Sequence, residues 1–324
     1  MAGWKRPKRS TPAGQHQPVL LDEVLATLTP QPGGVVVDCT TGFAGHSSAI
    51  LARLGTAGLL IGLDLDAGNF PSAKVRLEEV GFPFRLHHAN FAGLQGVLAT
   101  EGIEHVDGVV ADLGMSSMQL DDAERGFSYV RDGPLDMRMD RTRGRPASEL
   151  LATLSEQELA NALRDLGDEP EADRIAGAII ETRGEHPLKR TGELAELIRR
   201  TVQGEKEWKL HPAKGKWVLH PAARTFQALR ILVNRELANL EQLLRVLPMV
   251  LRPGGKAAII SFHSGEDRLV KNAFRAGLHA EVYDEISPDP IQASFAERTA
   301  NPRARSAKLR WARRSTEAKI ESTR

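Results

Sequence analysis

A chain of 324 residues that is 41% hydrophobic and 26% charged has room for one large domain or two smaller ones around a sizeable core. The formal net charge of +1 excludes a polycation, and no apolar run approaches the roughly 18 residues of a membrane span. One cysteine, Cys39, excludes an intramolecular disulfide and fits a reducing cytosol.

The charge is uneven. The start, "WKRPKRS", and the end, "NPRARSAKLRWARR", are basic and free of acids. Such ends suit a polyanionic partner or are plain solvated tails. The basic start lacks the apolar segment of a signal peptide, so the expectation is a cytoplasmic protein with no membrane attachment. His87 and His88 are adjacent but have no Cys or carboxylate at ligand spacing, so no metal is expected.

In chain order, "GGVVVDC" (33–39) reads as a buried parallel strand, and "GHSSAILARLG" (45–55) as a helix closed by Gly55. "GLLIGLDLD" (58–66) is a second strand with "AKVRLEEVG" as its return helix. "FRLHHA" (84–89) is a third, followed by a helical "FAGLQGVLATEG", and "VDGVVAD" (106–112) is a fourth. This alternation indicates βαβ units and a parallel sheet.

From about 122 to 222 the pattern turns polar and helical. "LSEQELANALRDLG" carries a capping box, Ser155 with Glu158, and "DRIAGAIIETRG" and "TGELAELIRRTV" are two more helices. "PAARTFQALRILVNRELANLEQLLRVLPMVL" (221–251) reads as one long helical segment with its break expected at Pro248. "PGGKAAIISFHS" is a fifth strand after a turn, and "EVYDEI" and "AKLRWARR" are expected as edge strands completing the sheet. The domain expectation is therefore a first α/β part at 1–121, a helical insert at 122–222 and a second α/β part with a basic tail at 223–324.

Open parallel sheets bind ligands at the carboxyl ends of their strands. Those ends carry Asp38, Asp64, Asp112 and His263 here. In the turn "DCTTGFAGHS", Gly42 and Gly45 let a ligand approach the backbone, and Asp64 lies 22 residues beyond Gly42, the distance of a ribose-binding acid. The turn lacks the G-x-G-x-x-G that seats a pyrophosphate, and Asp38 just before it would repel one. A carboxylate there suits a cation, which favours S-adenosylmethionine (SAM) over a dinucleotide.

Three stretches, "DLGMSSMQLDDAERGFSYVRDGPLDMRMD" (112–140), "HPAARTFQALRILVNREL" (220–237) and "SFHSGEDR" (261–268), are similar to the bacterial RsmH/MraW family. That family methylates N4 of a cytosine in 16S ribosomal RNA. The resemblance runs from "HQPVLLDEVL" (16–25) to "NPRARSAKLR" (301–310). It implies an α/β, Rossmann-like SAM-dependent methyltransferase sheet with a helical insert domain. It also implies SAM contacts at Ala44, Gly45, His46, Asp64, Phe91, Asp112 and Gln119, and 16S rRNA of the small ribosomal subunit as partner. The chain departs from the family at Ala44 (usually Gly), Met118 (Pro) and Gly265 (Leu). Oligomeric state is left open, a homodimer included.

Methylating an exocyclic amine needs an acceptor near the amine protons as charge develops. In "ADLGMSSMQLD", Asp112 is the candidate acceptor. Ser116 and Ser117 either bind the base or cap the turn. His263 either meets the base or a phosphate, or orients the "SGED" turn, where Ser264 and Asp267 form a capping pair. Arg224, Gln227 and Arg230 share a helix face that either binds phosphate or pairs with acids of the insert. Trp208, Lys209 and Trp217 lie in a Lys-rich loop where the rings either stack on RNA bases or anchor a core. Arg303, Arg305, Lys308 and Arg310 complete the candidate RNA-binding set. The competing readings are an RNA-binding assembly factor with little or no catalysis, a small-molecule methyltransferase and a dehydrogenase.

Overall fold

The structure is a computed structural model that describes residues 18–115, 117–203 and 220–317. Two compact units divide the chain: Met1–Gly114 with Leu237–Arg324, and Met115–Glu236.

The first unit opens with α1 (Leu21–Leu28), which the sequence pattern did not reveal. Then β1 (Val35–Asp38), α2 (Gly45–Leu54), β2 (Leu59–Asp64), α3 (Phe70–Val80), β3 (Phe84–His88), α4 (Leu94–Thr100) and β4 (Val106–Asp112) alternate as expected. β1, β2 and β4 read as near-continuous apolar runs because both faces are covered. Val37, Ile61, Leu63, Val109 and Ala111 enter one layer of core, and Val36, Leu60 and Val110 the other.

The second unit holds α5 (Ser117–Asp121), α6 (Ala147–Thr153), α7 (Glu156–Gly167), α8 (Ala172–Glu185), α9 (Thr191–Gln203) and α10 (Ala223–Asn234). The Ser155 hydroxyl accepts from the Glu158 amide, and the Glu158 carboxylate accepts from the Ser155 amide at 2.8 Å, closing the capping box that starts α7. Phe226, Ala228 and Leu229 of α10 are buried with Leu159, Leu163 and Ile175 of α7 and α8. So α10 belongs to the helical unit, and the boundary expected at 222 lies instead at Glu236.

The long helical segment breaks at Arg235, which adopts a left-handed conformation (φ 52°), and not at Pro248. Pro248 sits in the last turn of α11 (Glu236–Val250), where its missing N–H removes only one helical hydrogen bond.

The first unit then resumes with β5 (Leu251–Ser261), α12 (Ser264–His279), β6 (Tyr283–Ile286), β7 (Ile291–Gln292), α13 (Phe295–Ala300) and β8 (Lys308–Arg314). β5 begins before the Pro-Gly-Gly turn. Leu251 pairs with Val106 and Lys256 with Gly108, so the residues between form an irregularity, with Gly254 at φ +78°. The sheet order is β3-β2-β1-β4-β5-β8-β6, with β7 also on β8. β1 to β5 are parallel neighbours, and β6, β7 and β8 join antiparallel. Hence β8, expected at an edge, is interior between β5 and β6, and Leu309 and Ala312, three residues apart and so on opposite faces, enter the two core layers. β3 and β6 are the ends of the order.

Candidate active site

Asp38 ends β1 and is 2% exposed. Its Oδ1 accepts from the Thr40 amide at 3.0 Å and its Oδ2 from the Ser47 hydroxyl at 2.6 Å, so it braces the turn against the first coil of α2. Burial pushes its carboxyl above the usual range, against the opposing pull of His46, Ser47 and Thr40.

Within the turn, Gly42 and Ala44 both have positive φ, at 51° and 58°. Glycine reaches that region freely, whereas alanine is strained there by roughly 1–2 kcal/mol. The Ala44 methyl is buried in the core with Leu20, Leu51 and Leu54 and so contributes packing that offsets the strain. A Cβ on Gly45 would lie 3.1 Å from the Pro18 Cβ, so the glycine lets the Pro18–Leu20 strap close over the start of α2. His46 is buried under that strap, its Nε2 2.9 Å from the Val19 carbonyl oxygen. A carbonyl only accepts, so Nε2 carries a hydrogen.

Asp64 ends β2 and is joined to the turn directly. Its Oδ2 accepts from the Gly42 amide at 2.7 Å and its Oδ1 from the Asp66 amide at 2.7 Å, while the Asn69 amide lies 3.3 Å from both oxygens. The remaining lone-pair capacity can take a ligand hydroxyl. Burial drives its carboxyl up to about 6 despite these donors. Phe91 opens a one-turn 3-10 helix, Phe91–Gly93, capped by the Asn90 side chain on the Ala92 amide at 2.9 Å. Its ring is half-buried against the core.

Asp112 ends β4. Its amide donates to the Thr40 hydroxyl at 2.7 Å, tying β4 to the turn after β1. Its Oδ1 accepts from the Gly114 amide at 3.0 Å, and its Oδ2 lies 3.9 Å from His46 Nδ1. Burial is the main cause of its raised pKa; His46 and the Gly114 amide oppose it, while Asp38 and Glu266 add to it. A Cβ on Gly114 would come within 2.8 Å of the Phe262 ring, so the residue two beyond Asp112 must be glycine for the turn to pack there. Glu266, 2% exposed, accepts from the Phe262 amide at 2.8 Å and places its other oxygen 3.2 Å from His263 Nε2.

The sequence reading missed Glu266 and the bridging hydroxyl of Thr40. For Glu266 the signal was its position three residues after His263, within "SFHSGED". Asp38, Gly42, Ala44, Gly45, His46, Asp64 and Asp112 thus lie at one end of the sheet, with His263 on the neighbouring strand end.

Other expectations fare differently. Ser264 begins α12 with His263 at the cap position, and Asp267 does not cap; its carboxylate receives Arg310 Nε at 2.6 Å and Lys308 Nζ at 3.1 Å. Arg310 and Lys308 are therefore ion-paired on β8, with the Arg310 side chain only 8% exposed, and are not free for phosphate. Arg230 makes a two-bond ion pair with Glu236, at 2.9 and 2.8 Å, so of the expected phosphate-binding face it takes the acid-pairing option. Gln227 reaches the Leu166 carbonyl at 3.4 Å, and Arg224 is exposed. Arg303 and Arg305 lie on the 3-10 turn Pro302–Arg305. Gln119 is buried on α5 in the second unit. Ser116, Trp208, Lys209 and Trp217, with the side chains of Ser117 and Met118, lie outside the described residues.

The sequence profile of the MraW methylase family matches residues 13–315. A Citrifermentans bemidjiense protein named ribosomal RNA small subunit methyltransferase H is 45% identical over 312 residues, covering 91% of this chain and 97% of that protein. Proteins of the same name from Burkholderia ambifaria (45% over 320 residues, 93% of this chain and 98% of that one) and Syntrophus aciditrophicus (44% over 314 residues, 92% and 97%) are similar throughout.

Proposed function

The chain belongs to the MraW methylase family, and from that we propose that it is a SAM-dependent methyltransferase acting on N4 of a cytosine in 16S rRNA of the small ribosomal subunit. The observation that carries the reading is the buried acid set at the strand ends: Asp38 and Asp112, each with its carboxyl pushed up by burial, beside one imidazole. Such carboxylates lack a full countercharge and fit a cationic ligand.

Bound SAM supplies an electrophilic methyl group on a sulfonium cation. Gly42 and the start of α2 would receive the ligand backbone, Asp64 would take the ribose hydroxyls and Phe91 would pack on the adenine. The cytosine amine is a weak nucleophile because its lone pair is delocalised into the ring. An Asp112 oxygen accepts a hydrogen bond from N4–H and aims that lone pair at the methyl carbon. Methylation of N4 by a sulfonium donor releases one amine proton, and the Asp112 carboxylate, whose raised pKa suits it as an acceptor, would take it. His46, fixed by Val19, faces Asp112 with its Nδ1 3.9 Å from Oδ2. A base inside a duplex cannot reach this point, so the target is unstacked before reaction.

No helix among the described residues is long and apolar enough to cross a membrane. An assembly factor without catalysis would not require the bracing of Asp112 by Thr40, Gly114 and His46. The test uses rRNA from cells lacking the protein, incubated with labelled SAM. Wild type incorporates label and Asp112→Asn does so far more slowly, with SAM affinity measured alongside. No incorporation by the wild type on either rRNA or isolated subunits overturns the reading.

A further inference from the structure

Phe295 opens α13 and is 80% exposed, the only Phe, Tyr or Trp so exposed among the described residues. Its place in the fold is set by β8. Lys308 of β8 lies opposite Ser261 of β5, and β7 pairs with the same end of β8. The segment joining β7 to β8, which contains α13, therefore sits at the end of the sheet where Asp112 lies opposite Ile260.

That segment is basic. Arg298 follows Phe295 by three residues on one helix face. The exposed Arg305 reaches back, its Nε donating to the Arg298 carbonyl at 3.3 Å. The acid of α13, Glu297, is engaged elsewhere, its Oε1 accepting from the Leu20 amide at 2.8 Å. This bond anchors α13 to the Pro18–Leu20 strap, whose Val19 carbonyl holds His46 against Asp112. The ring and the proposed catalytic carboxylate are thus fixed to one support.

We propose that Phe295, Arg298 and Arg305 form a stacking platform for a single-stranded RNA segment beside the target nucleotide. A base lies on the ring and its phosphates face the two guanidinium groups. This rests on the RNA-methylating reading of the site and adds to it a second point of grip. An unstacked target has unpaired neighbours, and every base has a π-face that an aromatic ring accepts regardless of sequence. The positive flank matches phosphate, and ties by Glu297 and Ser294 keep the short helix in place.

The test measures binding without turnover, so failure of the methylation reading would leave it interpretable. The full chain is titrated against a fluorescent, unpaired ribo-oligonucleotide and against the same sequence as a duplex. Phe295→Ala weakens the single strand about tenfold, as loss of one base stack does, and Phe295→Trp restores it. Duplex affinity and SAM affinity stay as in wild type. Arg298→Ala with Arg305→Ala lowers the slope of log affinity against log salt by about 1.4, two phosphates on a single strand. Equal single-strand affinity for Phe295→Ala and wild type overturns the platform. So does a concentration-dependent self-association that Phe295→Ala abolishes, which would mean that a second copy covers the ring.

Discussion

Replacing Asp64 with Asn isolates what it costs to keep a carboxylate inside the glycine turn. Asp64 is 8% exposed, and burial raises its carboxyl from 3.8 to about 6 against the donors from Asp66, Gly42 and Asn69. Between those values the folded protein holds a proton that the unfolded chain has released, so stability falls as pH rises from about 4 through about 6. At about 1.36 kcal/mol per pH unit the gap is worth about 3 kcal/mol. Asn carries no charge and loses this slope. It also turns an NH2 toward one of the two backbone amides now 2.7 Å from the carboxylate, leaving a buried donor unpaired at a cost of about 1–3 kcal/mol at every pH. The variant is therefore less stable than wild type near pH 4, and the difference moves in its favour by about 3 kcal/mol by pH 7.5. Urea unfolding of the two cofactor-free proteins across that range reads it, and contributions from Asp38 and Asp112 cancel in the difference. A difference independent of pH refutes the reasoning. Calorimetry adds the functional half: SAM affinity falls tens-fold or more in the variant, and an unchanged affinity removes Asp64 from the ribose site.

Three further substitutions test the structure. Ala44→Gly relieves about 1–2 kcal/mol of left-handed strain but loses a buried methyl worth about 0.8 kcal/mol and frees the unfolded chain by about 0.4–1 kcal/mol; stability should stay within about 0.5 kcal/mol of wild type, and a loss above about 1.5 kcal/mol would contradict that balance. Asp267→Ala strands the buried Arg310 and should destabilise by about 3 kcal/mol in denaturant titration; a neutral result would mean that Arg310 is free for RNA after all. Ser155→Ala removes the cap of α7 and should cost about 1 kcal/mol with SAM affinity intact, while no change in midpoint would deny the cap a role.

The acids at the strand ends were legible because buried parallel strands are apolar runs, and a carboxylate closing "VVVD", "LLIGLD" and "VDGVVAD" stands out against them. Helix assignment failed where chemistry and geometry part. Nothing at Arg235 signals a break, since it is neither Gly nor Pro, and the apolar spacing of α10 runs on into α11. Pro248 signals a break but lies where a helix is ending anyway. Lys308 and Arg310 read as a basic tail because their partner, Asp267, is 41 and 43 residues away in the chain. The sequence assigned His46 to the cofactor; its imidazole placement between Val19 and Asp112 depends on a strap and a strand end brought together only by folding.

The identity of the methylated atom tests the central claim most directly. Ribosomal RNA from cells lacking the protein is incubated with the purified enzyme and isotopically labelled SAM, digested to nucleosides and resolved by mass spectrometry. The account predicts label in N4-methylcytidine from 16S rRNA, carried at a strongly reduced rate by Asp112→Asn. Label in 5-methylcytidine, in a ribose or in no nucleoside contradicts it.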